Sequence, residues 1–209
     1  MIYSTKEELI KARVRATDKV LDVGFWGQGT SADNPKWIHS LLKKQASEGV
    51  VYGLDIDFPE SQFSAPHYIK ASAESFVLPE KVHIIFAGDI IEHLSNPGLF
   101  LQSCVDNLLP GGQVVITTPN AFNLFNLAEK ITKDEPTVNK EHTCYYNKKT
   151  LGELVSRYPF EVSEVSYVYR LFTTHKESVK KKVLNVLYSL STKFSEKFME
   201  TLVFVITKK

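Results

Sequence analysis

The chain has little cysteine: Cys104 and Cys144 are the only two in 209 residues. They form no CxxC pair and no metal-type spacing, so neither a disulfide framework nor a zinc ribbon organises the fold, and reduced thiols in a reducing compartment are expected. Long apolar runs are lacking too. None approaches the roughly 18 to 20 residues that a membrane span needs. The first residues, Met1-Ile-Tyr-Ser-Thr-Lys-Glu-Glu8, turn charged almost at once, which is not the pattern of a secretory leader, and the expected location is the cytoplasm. Charge of one sign is absent: 25 Lys and Arg stand against 24 Asp and Glu, a net charge of +1. No global field therefore recruits nucleic acid or acidic membrane, and without a basic stripe of interleaved aromatics nucleic acid is not an expected partner. Internal repeats, low-complexity tracts and linkers are missing as well. What is present is 43% hydrophobic and 23% charged residues, enough for a real core. A single domain spanning 1–209 is expected.

Ser4 followed by Glu7 has capping-box spacing and predicts a first helix from Thr5 to about Arg15. Lys19-Val-Leu-Asp-Val-Gly24 is a short apolar run ending in glycine, the pattern of a buried strand. Asn34-Pro35, a cap followed by proline, predicts a second helix through Trp37, Ile38, Leu41 and Leu42. Further strands are predicted at Val50–Ile56, His67–Ala71, Val82–Ala87 and Gln113–Thr117. Helical spacing runs from Pro97 to Leu109 and is stopped by Pro110-Gly111-Gly112. Strands alternating with helices imply a parallel sheet covered on both faces. Near the C-terminus, Phe160–Arg170 and Leu202–Thr207 read as strands around a lysine-rich helical insertion at about 172–200.

The loop after the first predicted strand reads Asp22-Val-Gly24-Phe-Trp-Gly27-Gln-Gly29-Thr30. Glycines at a strand-to-helix turn let the backbone approach a ligand where a Cβ would clash. Asp22, two positions before the first glycine, would repel a pyrophosphate but favour the ammonium and sulfonium of S-adenosylmethionine. Asp55, at the end of the next strand, can accept both hydroxyls of a ribose, with Ile56 beside it to pack on an adenine face.

These residues resemble the class I S-adenosylmethionine-dependent methyltransferases, and the resemblance covers nearly the whole chain. Val20-Leu-Asp-Val-Gly24 resembles the first motif of that family and Gly53-Leu-Asp55 the second. Ala71-Ser-Ala-Glu74 occupies the place of the adenine-contacting segment, which assigns Ser72 and the Ala73 backbone to the base. Leu109-Pro-Gly-Gly112 with Thr117-Thr-Pro-Asn120 is similar to the fifth-strand motif of the small-molecule O-methylating branch. The resemblance implies a Rossmann-like α/β fold: a seven-stranded, mostly parallel sheet with helices on both faces and a C-terminal antiparallel strand. It also implies a cofactor site from Asp22, Gly24, Gly27, Gly29, Asp55, Ile56, Ser72 and Ala73. Three positions depart from the family pattern. The glycine loop has an extra residue, which puts Trp26 near the cofactor; His83 stands where an acidic residue usually opens the fourth strand; and Ser72 stands where Asp is common.

Ligands of open α/β sheets bind beyond the carboxyl ends of the strands. Gly88-Asp89-Ile-Ile-Glu92-His93-Leu94 falls there, and a helical turn would set Asp89, Glu92 and His93 on one face. Two carboxylates and an imidazole on one face can serve as a general base or hold a divalent cation such as Mg²⁺. The arrangement resembles that of the ubiquinone-pathway O-methyltransferases and the small-RNA 2′-O-methyltransferases. The second of these groups implies a further ligand, His142 of Glu141-His142. Three readings stay open: a cation held by Asp89, Glu92, His93 and His142, His93 or His142 acting as a base without metal, or a purely structural role. His39, His67 and His175 read as ordinary surface or helix residues.

The predicted reaction is methylation of a small hydroxylated metabolite at oxygen, with Ala121–Leu127 and Tyr145-Tyr146 as candidate pocket walls. Two other classes share the framework. An NAD(P)-dependent oxidoreductase needs G-x-G-x-x-G, and the acid before Gly24 opposes it; a non-catalytic methyltransferase-like binding module would keep the fold without turnover. The lysines at 176 and 180–182 precede Val183, Leu184, Val186, Leu187, Leu190 and Phe194 at helical spacing. A helix covering the sheet, a dimer face or a peripheral contact with a membrane surface all fit that pattern.

Overall fold

The computed structural model describes residues 2–27, 34, 36–64, 66–136, 138–169, 186, 188–191 and 195–209. Its frame is one eight-stranded sheet of β1 (Ile2–Tyr3), β2 (Lys19–Val23), β3 (Val50–Asp55), β4 (Tyr68–Lys70), β5 (Val82–Gly88), β6 (Leu108–Pro119), β7 (Phe160–Val168) and β8 (Thr201–Lys208). The spatial order is β1-β7-β8-β6-β5-β2-β3-β4. All neighbours pair in parallel except β8, which runs antiparallel to both β6 and β7. The mostly parallel sheet and antiparallel C-terminal strand are as expected. The strand count is larger by one, because two residues ahead of the first helix pair with β7 at the sheet's edge. So short a strand carries no periodic signal of its own.

Strand residues alternate between two cores. Leu21, Val23, Ile85, Ala87, Val114 and Ile116 join one buried cluster with Phe100, Leu101, Leu151 and Val155, from α3 (Pro97–Asn107) and α5 (Lys148–Ser156). Val20, Ile84, Phe86 and Val115 join the other with Leu9, Ile10 and Leu42, from α1 (Lys6–Arg13) and α2 (Ile38–Gln45). Burial on both faces explains why these strands read as continuous apolar runs rather than alternating ones.

Helix boundaries correct three expectations. Thr5, not Ser4, caps α1, its hydroxyl accepting from Glu8 N at 3.1 Å, while the Glu8 carboxylate accepts from Ser4 N at 2.7 Å. Because Glu8 accepts from Ser4 N and not from the N–H of the cap itself, the expected reciprocal box does not form, and the helix ends at Arg13. Asn34 does not cap α2; its side chain accepts from Lys36 N at 2.9 Å in a turn ahead of the helix, which starts at Ile38 without a side-chain cap. Pro110-Gly111-Gly112 ends α3 as expected but lies inside β6, where the ladder to β5 shifts register before Gln113. Two helices went unforeseen as elements: α4 (Leu124–Thr132) and α5. The capping box Asn147/Thr150 at the start of α5 is the sequence signal that marks it. Of the C-terminal insertion, 186 and 188–191 are helical and Glu196–Phe198 form a 3₁₀ turn. The lysines at 176 and 180–182, His175, Gly29 and Pro35 lie outside the described residues.

The chain leaves β2 toward β3 and β4, then returns through β5 on the other side of β2. That reversal opens a crevice at the carboxyl ends of β2 and β5, the usual place for a ligand in an open α/β sheet.

Candidate active site

A cleft of about 200 Å³ occupies that crevice, lined by Asp22, Gly24, Phe25, Gly27, Trp37 and Gly88 among others. Gly24 has φ +74°, and a Cβ there would stand 2.2 Å from Ile90 Cδ1, so only glycine fits both the backbone and the space. Its N–H donates to Leu54 O at 2.7 Å, tying the turn to β3. Gly27, at φ +60°, is the second left-handed position of the loop.

Asp55 closes β3 and turns its carboxylate toward this loop. Oδ2 accepts from Trp26 N at 3.1 Å and Gly27 N at 3.3 Å. Ile56 follows, 72% exposed, an apolar shelf with no protein cover. Asp55 O accepts from Ala71 N at 3.0 Å, which sets the turn at Ser72 and Ala73 alongside. Ser72 Oγ accepts from Glu74 N, and Glu74 in turn holds Asn96 N and Nδ2 at the start of α3. Ser72 and Ala73 thus stand beside Asp55 without lining the glycine cleft itself.

Asp22 is buried and faces His39 of α2, with Nδ1 at 3.1 Å from Oδ2. Burial raises the Asp22 carboxyl above its ordinary value, the His39 contact opposes that rise, and the Asp55 charge adds to it. His39, assigned nothing from sequence, is therefore in direct contact with a residue that lines the cleft. Around it gather Phe25, Trp37, Phe58, Phe63 and Tyr68 in mutual ring contact, with Trp26 at the margin. Only Trp26 of these was placed near the cofactor by its position in the loop.

Beyond β5 the backbone turns sharply: Asp89 has φ +57°, and Ile91–His93 form a single 3₁₀ turn rather than an α-helix. Glu92 and His93 keep their places on that turn; Asp89 does not share their face. Its Oδ2 meets Lys6 Nζ at 2.6 Å and its Oδ1 accepts from Thr117 Oγ1 at 2.8 Å. His142 arrives from the far side. Thr143 N donates to Glu92 O at 2.8 Å, and Thr143 Oγ1 reaches Glu92 O and Leu94 O. That clamp sets the His142 ring edge-on to His93, with centroids 4.7 Å apart.

Glu92, His93 and His142 each offer a ligand atom within 4.8 Å of the others. Both Glu92 carboxylate oxygens are buried without a hydrogen-bond partner among the described residues. Burial, then the nearby Asp89 charge, pushes the Glu92 carboxyl up to about 7. Burial and the neighbouring His93 lower His142 below the ordinary imidazole value.

Compared with known proteins, residues 8–165 match the family model described as a methyltransferase domain. The chain belongs to the methyltransferase domain family. This membership bears out the reading of a class I, S-adenosylmethionine-dependent methyltransferase, and the oxidoreductase alternative falls with it. The methyltransferase is 24% identical to the ubiquinone biosynthesis O-methyltransferase of Saccharophagus degradans, over 77% of this chain and 71% of that one. In fold it is similar to an S-adenosylmethionine-dependent methyltransferase from Archaeoglobus fulgidus, with TM-score 0.62, 18% identity, and coverage of 97% of this chain and 94% of that one. It is also similar to the Burkholderia thailandensis 1,6-didemethyltoxoflavin-N1-methyltransferase solved with bound 1,6-didemethyltoxoflavin and S-adenosylhomocysteine, at TM-score 0.58, 14% identity, and coverage of 99% and 79%. No helix among the described residues of this methyltransferase is long and apolar enough to cross a membrane.

A second hollow, about 300 Å³, lies over α4, walled by Ala121, Phe122, Leu127, Pro136 and Tyr145. The expected walls thus divide. Phe122, Leu127 and Tyr145 face the hollow, whereas Phe125 packs at a tilt against Tyr188 and Tyr146 is buried in the core.

Proposed function

We propose that this methyltransferase moves the methyl group of S-adenosylmethionine to a hydroxyl oxygen of a small metabolite. One observation carries the reading: Asp22, Gly24 and Gly27 line one crevice at the switch point between β2 and β5, and Asp55 Oδ2 accepts from Gly27 N of the same loop. When bound, the cofactor supplies an electrophilic methyl carbon on a cationic sulfur. The residues present fit it. Asp22 would face the cationic amino-acid end, the backbone at Gly24 and Gly27 would make room, and Asp55 would hold the ribose, with Ile56, Ser72 and Ala73 toward the adenine. Gly29, on the same loop, completes the set assigned from the sequence.

Methyl transfer is an in-line displacement, so the protein's task is to align the acceptor and take up its proton. Glu92, His93 and His142 stand one turn beyond the cleft and suit that task. His142, held in the neutral form by its surroundings, receives the hydroxyl proton as the oxygen lone pair attacks. Asp89, fixed by Lys6 and Thr117, contributes negative charge next to Glu92 rather than a direct ligand.

A divalent cation such as Mg²⁺ is the second reading, favoured by the two partnerless Glu92 oxygens facing two imidazoles. Glu92, His93 and His142 would hold it, and it would lower the pKa of the acceptor hydroxyl. The hollow bounded by Phe122, Leu127 and Tyr145 offers apolar surface to the rest of an acceptor. The match to a ubiquinone-pathway O-methyltransferase supports oxygen as the methylated atom.

Calorimetry with S-adenosylhomocysteine tests the cofactor, and micromolar binding is expected. Labelled-methyl transfer to a panel of phenols, catechols and sugars tests the acceptor, with His142→Ala reducing turnover at least 100-fold. If chelation leaves turnover untouched, the cation is excluded and the imidazole base remains; transfer only to amines overturns O-methylation.

A further inference from the structure

His39 is one of the most deeply buried polar side chains described, 1% exposed, and its imidazole sits directly behind Asp22. The ring is packed between Phe25 and Trp37, each 5.1 Å away between centroids, with Tyr68 at 5.6 Å. Nδ1 points at Asp22 Oδ2, while Nε2 is buried with no hydrogen-bond partner among the described residues. A buried polar atom without a partner is disfavoured, so this imidazole is retained at some expense to stability.

The consequence falls on Asp22. In a dry aromatic cage a carboxylate with no donor takes up a proton, and a neutral acid attracts no ammonium. Nδ1–H of His39 is the one donor to Asp22 among the described hydrogen bonds. The other charges acting on Asp22 come from different elements: Asp55 at the end of β3 raises its pKa and Lys6 of α1 lowers it. The phenol of Tyr68 faces His39 from β4.

We propose that His39 is a positioning residue for the methyl donor, orienting Asp22 and keeping it ionised so that the carboxylate meets the ammonium of the donor's amino-acid end. This rests on the cofactor assignment above. The imidazole touches no substrate; it acts through Asp22. The pairing also joins α2 to β2, so the helix that follows the glycine loop is set by the same contact that prepares the cleft.

Two ligands separate this role from a merely structural one. S-adenosylhomocysteine carries the amino-acid end, and 5′-methylthioadenosine lacks it. In calorimetry, His39→Leu is expected to weaken S-adenosylhomocysteine at least 10-fold at pH 7 and to change 5′-methylthioadenosine less than two-fold. His39→Asn, whose amide N–H falls near the Nδ1 position, is expected to stay within about three-fold of the wild type for both. Affinity of His39→Leu for S-adenosylhomocysteine should climb as pH rises from 6 to 9, because Asp22 then ionises without its donor, while the wild type stays flat. Should His39→Leu not fold, His39→Gln, which moves its N–H away from Asp22, makes the same comparison. Equal loss of both ligands, a flat pH profile in His39→Leu, or failure of His39→Asn to rescue overturns the proposal alone. If the wild type binds neither ligand, the cofactor assignment fails and this inference falls with it.

Discussion

Thr143 donates twice to the 3₁₀ turn that carries Glu92: its N–H meets Glu92 O at 2.8 Å and its hydroxyl meets the same oxygen at 3.0 Å. Through that clamp a histidine some fifty residues downstream of His93 in the sequence becomes its ring neighbour. Thr143→Val keeps the shape and the N–H but deletes the hydroxyl. We expect a loss of about 1 kcal/mol in urea unfolding. Titration with Mn²⁺, read by electron paramagnetic resonance, should show at least three-fold weaker binding; unchanged binding would mean that His142 needs no clamp.

Glu92 makes stability depend on pH. Its folded pKa of about 7 lies above the ordinary 4.5, so the folded state binds this proton more tightly than the unfolded one. Stability from this group is therefore fully present below about pH 4.5 and is lost as pH rises to about 7, by on the order of 3 kcal/mol. Glu92→Gln should remove that slope in urea titrations with EDTA from pH 5 to 8. Adding Mn²⁺ should stabilise the wild type most at pH 8 and leave Glu92→Gln unmoved.

Gly24 meets two constraints at once, a left-handed backbone and the Ile90 side chain. Gly24→Ala should lower stability by at least about 2 kcal/mol and abolish S-adenosylhomocysteine binding. Adding Ile90→Val removes Cδ1, the atom nearest the new methyl. The double variant should regain part of the stability, measured by thermal unfolding, because the backbone strain persists while the clash is eased.

Asn120, the last residue of the Thr-Thr-Pro-Asn segment, has a structural duty. Its Nδ2 donates to Lys197 O and Met199 O, each at 2.8 Å, and its Oδ1 accepts from Phe122 N at 3.2 Å. Asn120→Ala leaves these groups without partners and should destabilise by roughly 2 to 4 kcal/mol. Binding of S-adenosylhomocysteine at low temperature should stay within two-fold of the wild type.

The fold was legible where the signal is local. Val20-Leu-Asp-Val and Val82-His-Ile-Ile-Phe-Ala read as strands because both faces of a parallel sheet are buried, and Gly24 marked a turn because no side chain tolerates its geometry. The capping of α1 was visible but misplaced by one residue, since Ser4 and Thr5 both offer a hydroxyl and only the docking of Leu9 and Ile10 in the core selects Thr5. The positions of Asp22 on β2 and Asp55 at the end of β3 were legible because strand patterning places them without knowledge of any distant contact.

Distant partnerships were decided by the tertiary structure. His39 looks like any helix residue until the helix start at Ile38 fixes which face meets β2 and buries the imidazole against Asp22. Asp89 pairs with Lys6 because α1 packs in the same core as Ile84 and Phe86 of β5, and α1 is held there by the pairing of Ile2 and Tyr3 with β7 and by the Arg13–Glu164 ion pair. A residue's spacing along the chain carries the periodicity of its own element. Which side chain it meets across 80 or more residues depends on sheet order and strand register, and those are set only when the whole core packs.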